Sequence, residues 1–382
     1  MKKEIGYHLF AWMYKICCMF PIQKNKIFCV MTHDSSEEGN VGVVKKYLEE
    51  KNSDWNFCCL KREDTRFHGK EKWKKAFRFF VKYPYELATA SYVLQDNIFL
   101  PMAFFSFRKR VKVVQLWHGT GTIKKFGQDV NVGRLGELEK LANKNITHLI
   151  INSKKWDSYA RIFGVTQDKL QILGMPRTDL LFSEEKKEDR EEQFFMENPN
   201  LIGKKIILYA PTFRDHNLDK QQLQLDIETW LKGMPEDIVL GLRLHPFVAE
   251  QFRYEGEEKE RIVDFSQYKN LNTLLFVSSG LVTDYSSIIF EYVLLDKPMY
   301  FYAYDLEEFS DNGRGFYENY EEYVPGIVAK STQELVNKIM EIEKNLEQKE
   351  HWKEKRKRFK EENYCYFDGN STRRLVKLLE ME

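Results

Sequence analysis

From Lys26 onward the chain alternates short apolar runs with amphipathic ones, and the pattern occurs twice. "KIFCVM" reads as a buried strand, "VGVVKKYLEE" as a helix, "DWNFCCL" as a strand and "EKWKKAFRFFVKY" as a basic amphipathic helix. Strands "YVLQDN", "VKVVQLWH", "THLIINS" and "KLQILG" follow, with helices "GRLGELEKLANKN" and "KKWDSYARIFG" between the last three. Strands separated by helices imply a parallel sheet with crossovers, because parallel neighbours cannot be joined by a tight hairpin. A dense charge run, Ser183 to Gln193, interrupts the alternation. It then restarts through "KKIILYAP", "DIVLGLRLHP", "RIVDF", "GLVTD" and "MYFYAYD", with helices that include "NLNTLLFVSS" and "SSIIFEYVLLD". A chain of 382 residues exceeds one typical core. The predicted arrangement is therefore two doubly wound α/β halves facing each other across a cleft. One spans 26–185 and the other 200–365, after an N-terminal helix within 1–25. One long charged helix is expected over Ser331 to Asn363, and a terminal helix over 366–382 that could return to the first half.

In such sheets ligands sit beyond the carboxyl ends of the strands, and there the polar residues collect. They are His118 and Gly119; Gly174, Arg177 and Asp179; Pro211, Thr212 and Arg214; Arg243 and His245; and Asp284, Ser286 and Ser287. In "VTDYSSIIFEY" a strand stops at Asp284 and a helix begins after two serines. Its unpaired N–H groups and positive dipole end would suit a phosphate. The plainer reading is a serine N-cap. A capping box needs a carboxylate three residues after the cap, and position 290 is Phe. Glu291 is thus available to accept from a ribose. His118 titrates near neutrality and could act as a general base, with Gly119 and Gly121 allowing close backbone approach. The alternative is a structural histidine. His245 and Arg243, two residues apart, share a strand face and could meet a phosphate oxygen, or His245 could cap the sheet. Arg177 and Arg214 have a second reading as salt-bridge partners between the halves. No D-x-D carboxylate pair, H-E-x-x-H, zinc spacing or Walker loop is present, so no metal site is expected.

The N-terminal stretch Ile5 to Phe20 is apolar and aromatic, but Lys15 interrupts it and Pro21 closes it. That is short for a spanning helix. A helix in the membrane interface fits better, anchored by Trp12, Lys15 and Phe20, with packing on the protein as the alternative. Two basic, aromatic stretches extend this reading: "HGKEKWKKAFRFFVKYPY", with Lys74, Lys75 and Arg78, and "FFSFRKRVK", with Arg108 and Arg110. Formal net charge is only +1, so no global field favours a polyanion and no nucleic-acid partner is expected. The six cysteines form no C-x-x-C and are expected reduced and mostly buried, in a cytoplasmic protein.

"WHGTGTIKKFG", "GMPRTD", "YAPTFRD", "LRLHP", "VTDYSSIIFEYVLLDKPMYFYAYDLEEF" and "RGFYENYEEYVPG" together resemble the CDP-glycerol glycerophosphotransferase family of wall teichoic acid synthesis. The resemblance spans roughly Tyr92 to Asn337. It implies a GT-B-like fold of two Rossmann-like domains. It also implies transfer of glycerol phosphate from CDP-glycerol to an acceptor hydroxyl with release of CMP and no cofactor. His118 matches the essential histidine of the family's W-H-G motif, and His245 that of R-x-H-P. Pro211, Thr212, Arg243, Ser286 and Ser287 match nucleotide-binding loops, as do Arg177, Arg214 and Glu291. Gly119 and Thr120 continue the W-H-G-T segment beside the substrate. The family usually continues W-H-G-T-P-L-K, whereas Gly121, Thr122 and Ile123 stand here. Length and the form of the start suggest a primase acting on an undecaprenyl-diphosphate-linked disaccharide at the inner membrane leaflet, alongside other teichoic acid enzymes. A poly(glycerol phosphate) or ribitol-phosphate transferase, another GT-B enzyme using a nucleotide sugar, and a non-enzymatic assembly protein are the alternatives.

Overall fold

A computed structural model describes residues 2–380 apart from 52–53, 68, 70 and 215–221. His68 and Lys70 of the first basic stretch, Asp215 of the Arg214 loop and Met381 of the terminal segment therefore lie outside the described residues. The chain divides into two compact units. Unit 1 comprises Met1–Thr120, Phe126–Leu180 and Tyr364–Glu382; unit 2 comprises Gly121–Lys125 and Leu181–Asn363.

Unit 1 is built on six strands: β1 (Gln23–Met31), β2 (Asn56–Lys61), β3 (Ala90–Gln95), β4 (Lys112–Gln115), β5 (His148–Ile151) and β6 (Leu170–Ile172). Their order is β2-β1-β3-β4-β5-β6, and every pair is parallel. A parallel sheet must be covered on both faces, and the side chains of β1 show how this is met. Phe28 and Val30 join one buried cluster with Phe10 and Tyr14 of the helix Lys2–Cys17. Ile27, Cys29 and Met31 point the other way, into a cluster with Val41 and Val44 of the helix Asn40–Lys51 and with Leu375 and Val376 of the helix Ser371–Leu378. The two ends of the chain thus cover opposite faces of one sheet. Asp179 fixes the returning helix by accepting from Ser371 N at 2.8 Å and Thr372 N at 2.7 Å.

Unit 2 carries β7 (Lys205–Tyr209), β8 (Ile238–Leu242), β9 (Ile262–Asp264), β10 (Ser278–Thr283), β11 (Met299–Tyr302) and β12 (Ile327–Ala329). Their order is β12-β11-β10-β7-β8-β9, again all parallel. This is the 3-2-1-4-5-6 order of a dinucleotide-binding sheet, with its reversal between β7 and β10. Trp230, Leu240, Leu242, Val282 and Leu335 sit in its core.

Three expectations are corrected. The charge run is a helix of unit 2, Glu184–Glu197, whose buried Phe194 packs on Phe265 and Tyr268, so the unit boundary falls before it. The long terminal helix is two, Thr332–Lys344 and Leu346–Asn363. Asn345 separates them because its Oδ1 accepts from Glu347 N and Gln348 N, starting a new helix instead of continuing the old one. The strand expected to run to His118 stops at Gln115, whose side chain accepts from Trp117 N at 2.8 Å and turns the backbone out of the sheet.

Candidate active site

In unit 1 the strand order reverses between β1 and β3. Asp96 follows β3 directly and is 1% exposed. Its carboxylate accepts from the N–H groups of Thr32, His33 and Asp34, which follow β1, at 2.8–3.3 Å. Burial pushes this carboxyl up to about 6 against those hydrogen bonds. The backbone carbonyl of Asp96 is 2.9 Å from His118 Nδ1. A carbonyl can only accept, so Nδ1 carries the proton and Nε2 presents a lone pair. The His33 ring stacks on His118 with centroids 3.5 Å apart. Burial, and then His33, push His118 down to about 3, so the ring is neutral at physiological pH.

The backbone before His118 is strained. Trp117 has φ +56, a left-handed conformation that a bulky residue adopts at a cost of about 1–3 kcal/mol. Three side chains fix it. Gln115 accepts from Trp117 N, Asn40 Nδ2 donates to the carbonyls of Leu116 (3.3 Å) and Trp117 (2.9 Å), and Arg177 Nη1 donates to the His118 carbonyl (3.0 Å). Asn40 Oδ1 accepts from Arg177 N, tying these together. The Trp117 ring stacks on Phe126 and meets Phe163 edge-on. Arg177 therefore positions the His118 loop from within unit 1. Gly119 is half-buried; Thr120 is buried and its carbonyl accepts from Asn152 Nδ2 at 2.5 Å.

The continuation of the loop, Gly121–Lys125, belongs to unit 2. A Cβ at Gly121 would lie 2.4 Å from the buried ring of Phe290. Lys124 pairs with Phe316 as an antiparallel bridge, and Tyr317 N donates to the Ile123 carbonyl.

Unit 2 repeats the device of unit 1. Asp284 follows β10, is 1% exposed, and accepts from Thr212 N, after β7, at 2.8 Å. Arg214 pairs with Asp284 at 2.9 Å and with Asp305 through both Nε (2.7 Å) and Nη2 (2.9 Å). Burial opposes this charge, but the two carboxylates outweigh it and raise its proton affinity. Tyr285, Tyr304 and Phe309 surround the guanidinium. Arg214 is thus a buried tether of its own loop. Pro211, Thr212, Arg214, Leu244, His245 and Tyr304 line a cavity there, and the Thr212 hydroxyl is buried without a hydrogen-bond partner among the described residues.

His245 is exposed, stacks on Phe213 at 3.8 Å, and accepts from Phe247 N through Nδ1, leaving Nε2 outward. It caps a short helix, Pro246–Gln251, and is not buried in the sheet. Arg243 does not share its surroundings: Nη1 donates to the carbonyls of Phe265, Ser266 and Tyr268, and burial lowers its proton affinity. Ser287 precedes the five-residue helix Ile288–Tyr292 but makes no capping bond, and Ser286 Oγ only grazes Ile288 N at 3.4 Å. Both hydroxyls are half-buried, while Glu291 is buried. Sequence reasoning missed Asp96, His33, Asn40 and Asp305. Among the described residues no group of three His, Cys, Asp or Glu side chains is placed to hold a metal ion.

A separate surface of unit 1 gathers the apolar residues of the N-terminus. The helix Lys2–Cys17 buries Phe10, Ala11, Tyr14 and Cys17 but exposes Ile5, Leu9, Trp12 and Ile16 on its other face, followed by Met19 and Phe20. Residues 72–88 add an exposed stripe at four-residue spacing: Trp73 (78% exposed), Phe77, Val81 and Tyr85. Lys15, Lys74 and Arg110 are exposed, and Lys75 is half-buried. Arg78 is exposed but pairs with Asp64 and Tyr83 Oη. Arg108 is committed to the carbonyls of Cys18, Phe20 and Ala88. No helix among the described residues is long and apolar enough to cross a membrane.

Comparison with solved structures gives the fold. The wall teichoic acid polymerase TagF matches with a TM-score of 0.78 over 99% of this chain and 95% of that one, at 20% identity, which identifies a GT-B-like architecture. A UDP-N-acetylglucosamine 2-epimerase from Listeria monocytogenes matches more loosely, at 0.57 and 12% identity. Among sequences, the glycerol-phosphate primase of Bacillus subtilis is 33% identical over 78% of this chain and 76% of its own length. The poly(ribitol-phosphate) polymerase of Bacillus spizizenii is 30% identical over 91% of this chain, which spans 56% of that protein's length. The family model for CDP-glycerol:poly(glycerophosphate) glycerophosphotransferases matches residues 12–381. With its histidines on strand-end loops of two parallel sheets, the chain belongs to the CDP-glycerol:poly(glycerophosphate) glycerophosphotransferase family.

Proposed function

We propose that the chain is a glycerol-phosphate primase. It moves glycerol phosphate from CDP-glycerol to a hydroxyl of an undecaprenyl-diphosphate-linked disaccharide and releases CMP. The observation that carries the reading is the tautomer of His118: Nδ1–H is held by the Asp96 carbonyl, so Nε2 is the base. The acceptor oxygen attacks the phosphorus that bears glycerol, its proton passes to His118 Nε2, and the bond to the CMP oxygen breaks. Low proton affinity keeps the imidazole unprotonated before substrate binds; the negative diphosphate then raises that affinity as the hydroxyl gives up its proton. His245, exposed and with Nε2 outward, donates to the departing CMP phosphate. Thr212, Ser286 and Ser287 offer hydroxyls to the nucleotide diphosphate. Arg177, Arg214 and Arg243 act by shaping their loops, since carbonyls and carboxylates already engage them.

The lipid-linked acceptor accounts for the second surface. The exposed faces that carry Trp12, Ile16, Trp73 and Phe77, flanked by Lys15 and Lys74, enter the headgroup region of the inner leaflet and hold the enzyme peripherally there. Incubation with CDP-glycerol, or CDP-ribitol in parallel, and a short-chain lipid-diphosphate disaccharide tests the whole proposal through CMP release and product mass. One added glycerol phosphate is the expected product. A ladder of additions would make the protein a polymerase, ribitol-only transfer would change the donor, and no CMP from either donor would overturn the reading.

A further inference from the structure

Cys29 of β1 and Cys59 of β2 are in-register neighbours on adjacent parallel strands. Strand neighbours lie about 4.8 Å apart, within the range of about 4.4–6.8 Å between Cα atoms that a disulfide spans. Their side chains share a face: Cys29 is fully buried in the cluster with Val41 and Val44, and Cys59 packs against the same cluster. Cys58 points to the opposite face. Cys59 also lines an open cavity with Ser36, Lys45, Lys46, Glu49 and Lys61. We propose that Cys29 and Cys59 form a reversible dithiol–disulfide site, in which Cys59 attacks low-molecular-weight disulfides that enter this cavity and Cys29 resolves the product.

The surroundings divide the labour. The Cys29 thiol donates to Cys59 Sγ, and Lys45 of the neighbouring helix and Lys61 of β2 add positive charge. Against burial and the nearby Glu49, these lower Cys59 to about 7. The same hydrogen bond, and then burial, raise Cys29, and burial raises Cys58 to about 12. The thiolate is the nucleophile, so Cys59 reacts first. Its sulfur attacks one sulfur of a disulfide RSSR, the RS–SR bond breaks, and RS⁻ leaves with a mixed disulfide on Cys59. Cys29 then loses its proton to solvent and attacks Cys59 Sγ, expelling a second RS⁻. The dithiol loses two electrons, and RSSR gains them as two thiolates. Cβ atoms on parallel neighbours sit farther apart than the ~3.8 Å a disulfide prefers, so the product is strained and readily reduced.

The test is reaction of the full chain with 5,5′-dithiobis(2-nitrobenzoate), followed by absorbance, intact mass and peptide mapping. The expected fast phase releases two thionitrobenzoate ions per chain. It leaves a protein lighter by two hydrogens with Cys29 linked to Cys59, and dithiothreitol reverses it. Its rate should titrate with a midpoint near 7, against about 8.5 for an ordinary thiol. Cys59→Ser should abolish the phase. Cys29→Ser, or Cys29→Ala where serine disrupts folding, should stop it at one ion and a stable adduct on Cys59. Cys58→Ser should react as the parent does. A fast phase that survives Cys59→Ser, or a parent chain whose Cys59 adduct never links to Cys29, would overturn the proposal.

Discussion

Asn40 offers the sharpest test of how the His118 loop is held. It is 2% exposed, begins a helix, and makes three hydrogen bonds to backbone: to the Leu116 and Trp117 carbonyls and from Arg177 N. Asn40→Ala removes all three at about 1 kcal/mol each and leaves their partners buried. It gains at most about 0.7 kcal/mol of helix propensity. The strain at Trp117 also loses its restraint. A net loss of roughly 2–4 kcal/mol is expected, read as a lower urea midpoint at unchanged m. Asn40→Asp separates this account from simple packing. Aspartate keeps the acceptor for Arg177 N and gains about 0.3–1 kcal/mol at the helix start. It also turns a carboxylate oxygen toward two carbonyl oxygens, and an uncompensated buried charge costs about 3–5 kcal/mol. Asp should therefore be worse than Ala despite its shape. CMP release, measured where each variant is folded, should fall at least about tenfold for both if His118 is the base proposed above, because small displacements of such a group are expensive. An Asn40→Asp protein as stable as Asn40→Ala, or an Asn40→Ala protein within about 0.5 kcal/mol of the parent, would refute the reasoning.

His118 makes stability depend on acidity. The folded imidazole is pushed down to about 3, while the unfolded chain takes up that proton near 6.5. Stability is therefore complete above about pH 6.5 and drains as pH falls toward 3, by about 1.4 kcal/mol per unit and by 4–5 kcal/mol at most. Urea midpoints for the parent should fall across this window, and those of His118→Gln should fall less steeply; parallel curves would count against a buried neutral ring. Gly121→Ala drives a methyl into Phe290 and should cost about 1–3 kcal/mol. Phe290→Leu should return part of that in the double variant, and strict additivity of the two changes would deny the contact. Trp73→Glu with Phe77→Glu removes two exposed apolar side chains that would contribute roughly 1.5–3 kcal/mol each on burial. Sedimentation with anionic vesicles should weaken by about tenfold or more at unchanged urea midpoint, and equal binding would remove the membrane role of this face.

Much of the fold was legible because strand and helix periods differ and glycine or charge punctuates them. Strand ends were legible too: His118, Thr212, His245 and Asp284 all follow strands directly or lie within three residues of one. What stayed hidden was how each polar group would be used. Arg214 and Arg243 read as ligand-binding cations, yet a guanidinium has five donors and buried loops are rich in carbonyls. Both side chains were consumed locally. Spacing carries no information about that competition. Asp96 was passed over because "YVLQDN" reads as a strand with an ordinary polar end, whereas Asp284 was noticed for the serines after it. The stripe Trp73, Phe77, Val81 and Tyr85 was present in the spacing all along. Nothing in a period of four says whether such a face meets the core or solvent.

The two overlooked carboxylates explain more than the residues that were singled out. At a strand-order reversal, adjacent strands send their loops apart, and the N–H groups that begin those loops are left without ladder partners. In unit 1 Asp96 accepts three such groups across the β1–β3 gap; in unit 2 Asp284 accepts Thr212 N across the β7–β10 gap. Each carboxylate closes the reversal point from below, so the loops above it can carry chemistry without unravelling the sheet. The two then diverge. Asp96 faces N–H groups and histidines, and its carbonyl sets the tautomer of His118. Asp284 and Asp305 instead engage Arg214, and the Thr212 hydroxyl and the outward edge of His245 line the cavity together with Gln222, Gln224 and Tyr304. One topological need, met by the same residue type at the same strand position, thus produces an unprotonated imidazole nitrogen in one unit and a tethered guanidinium beside a buried threonine hydroxyl in the other.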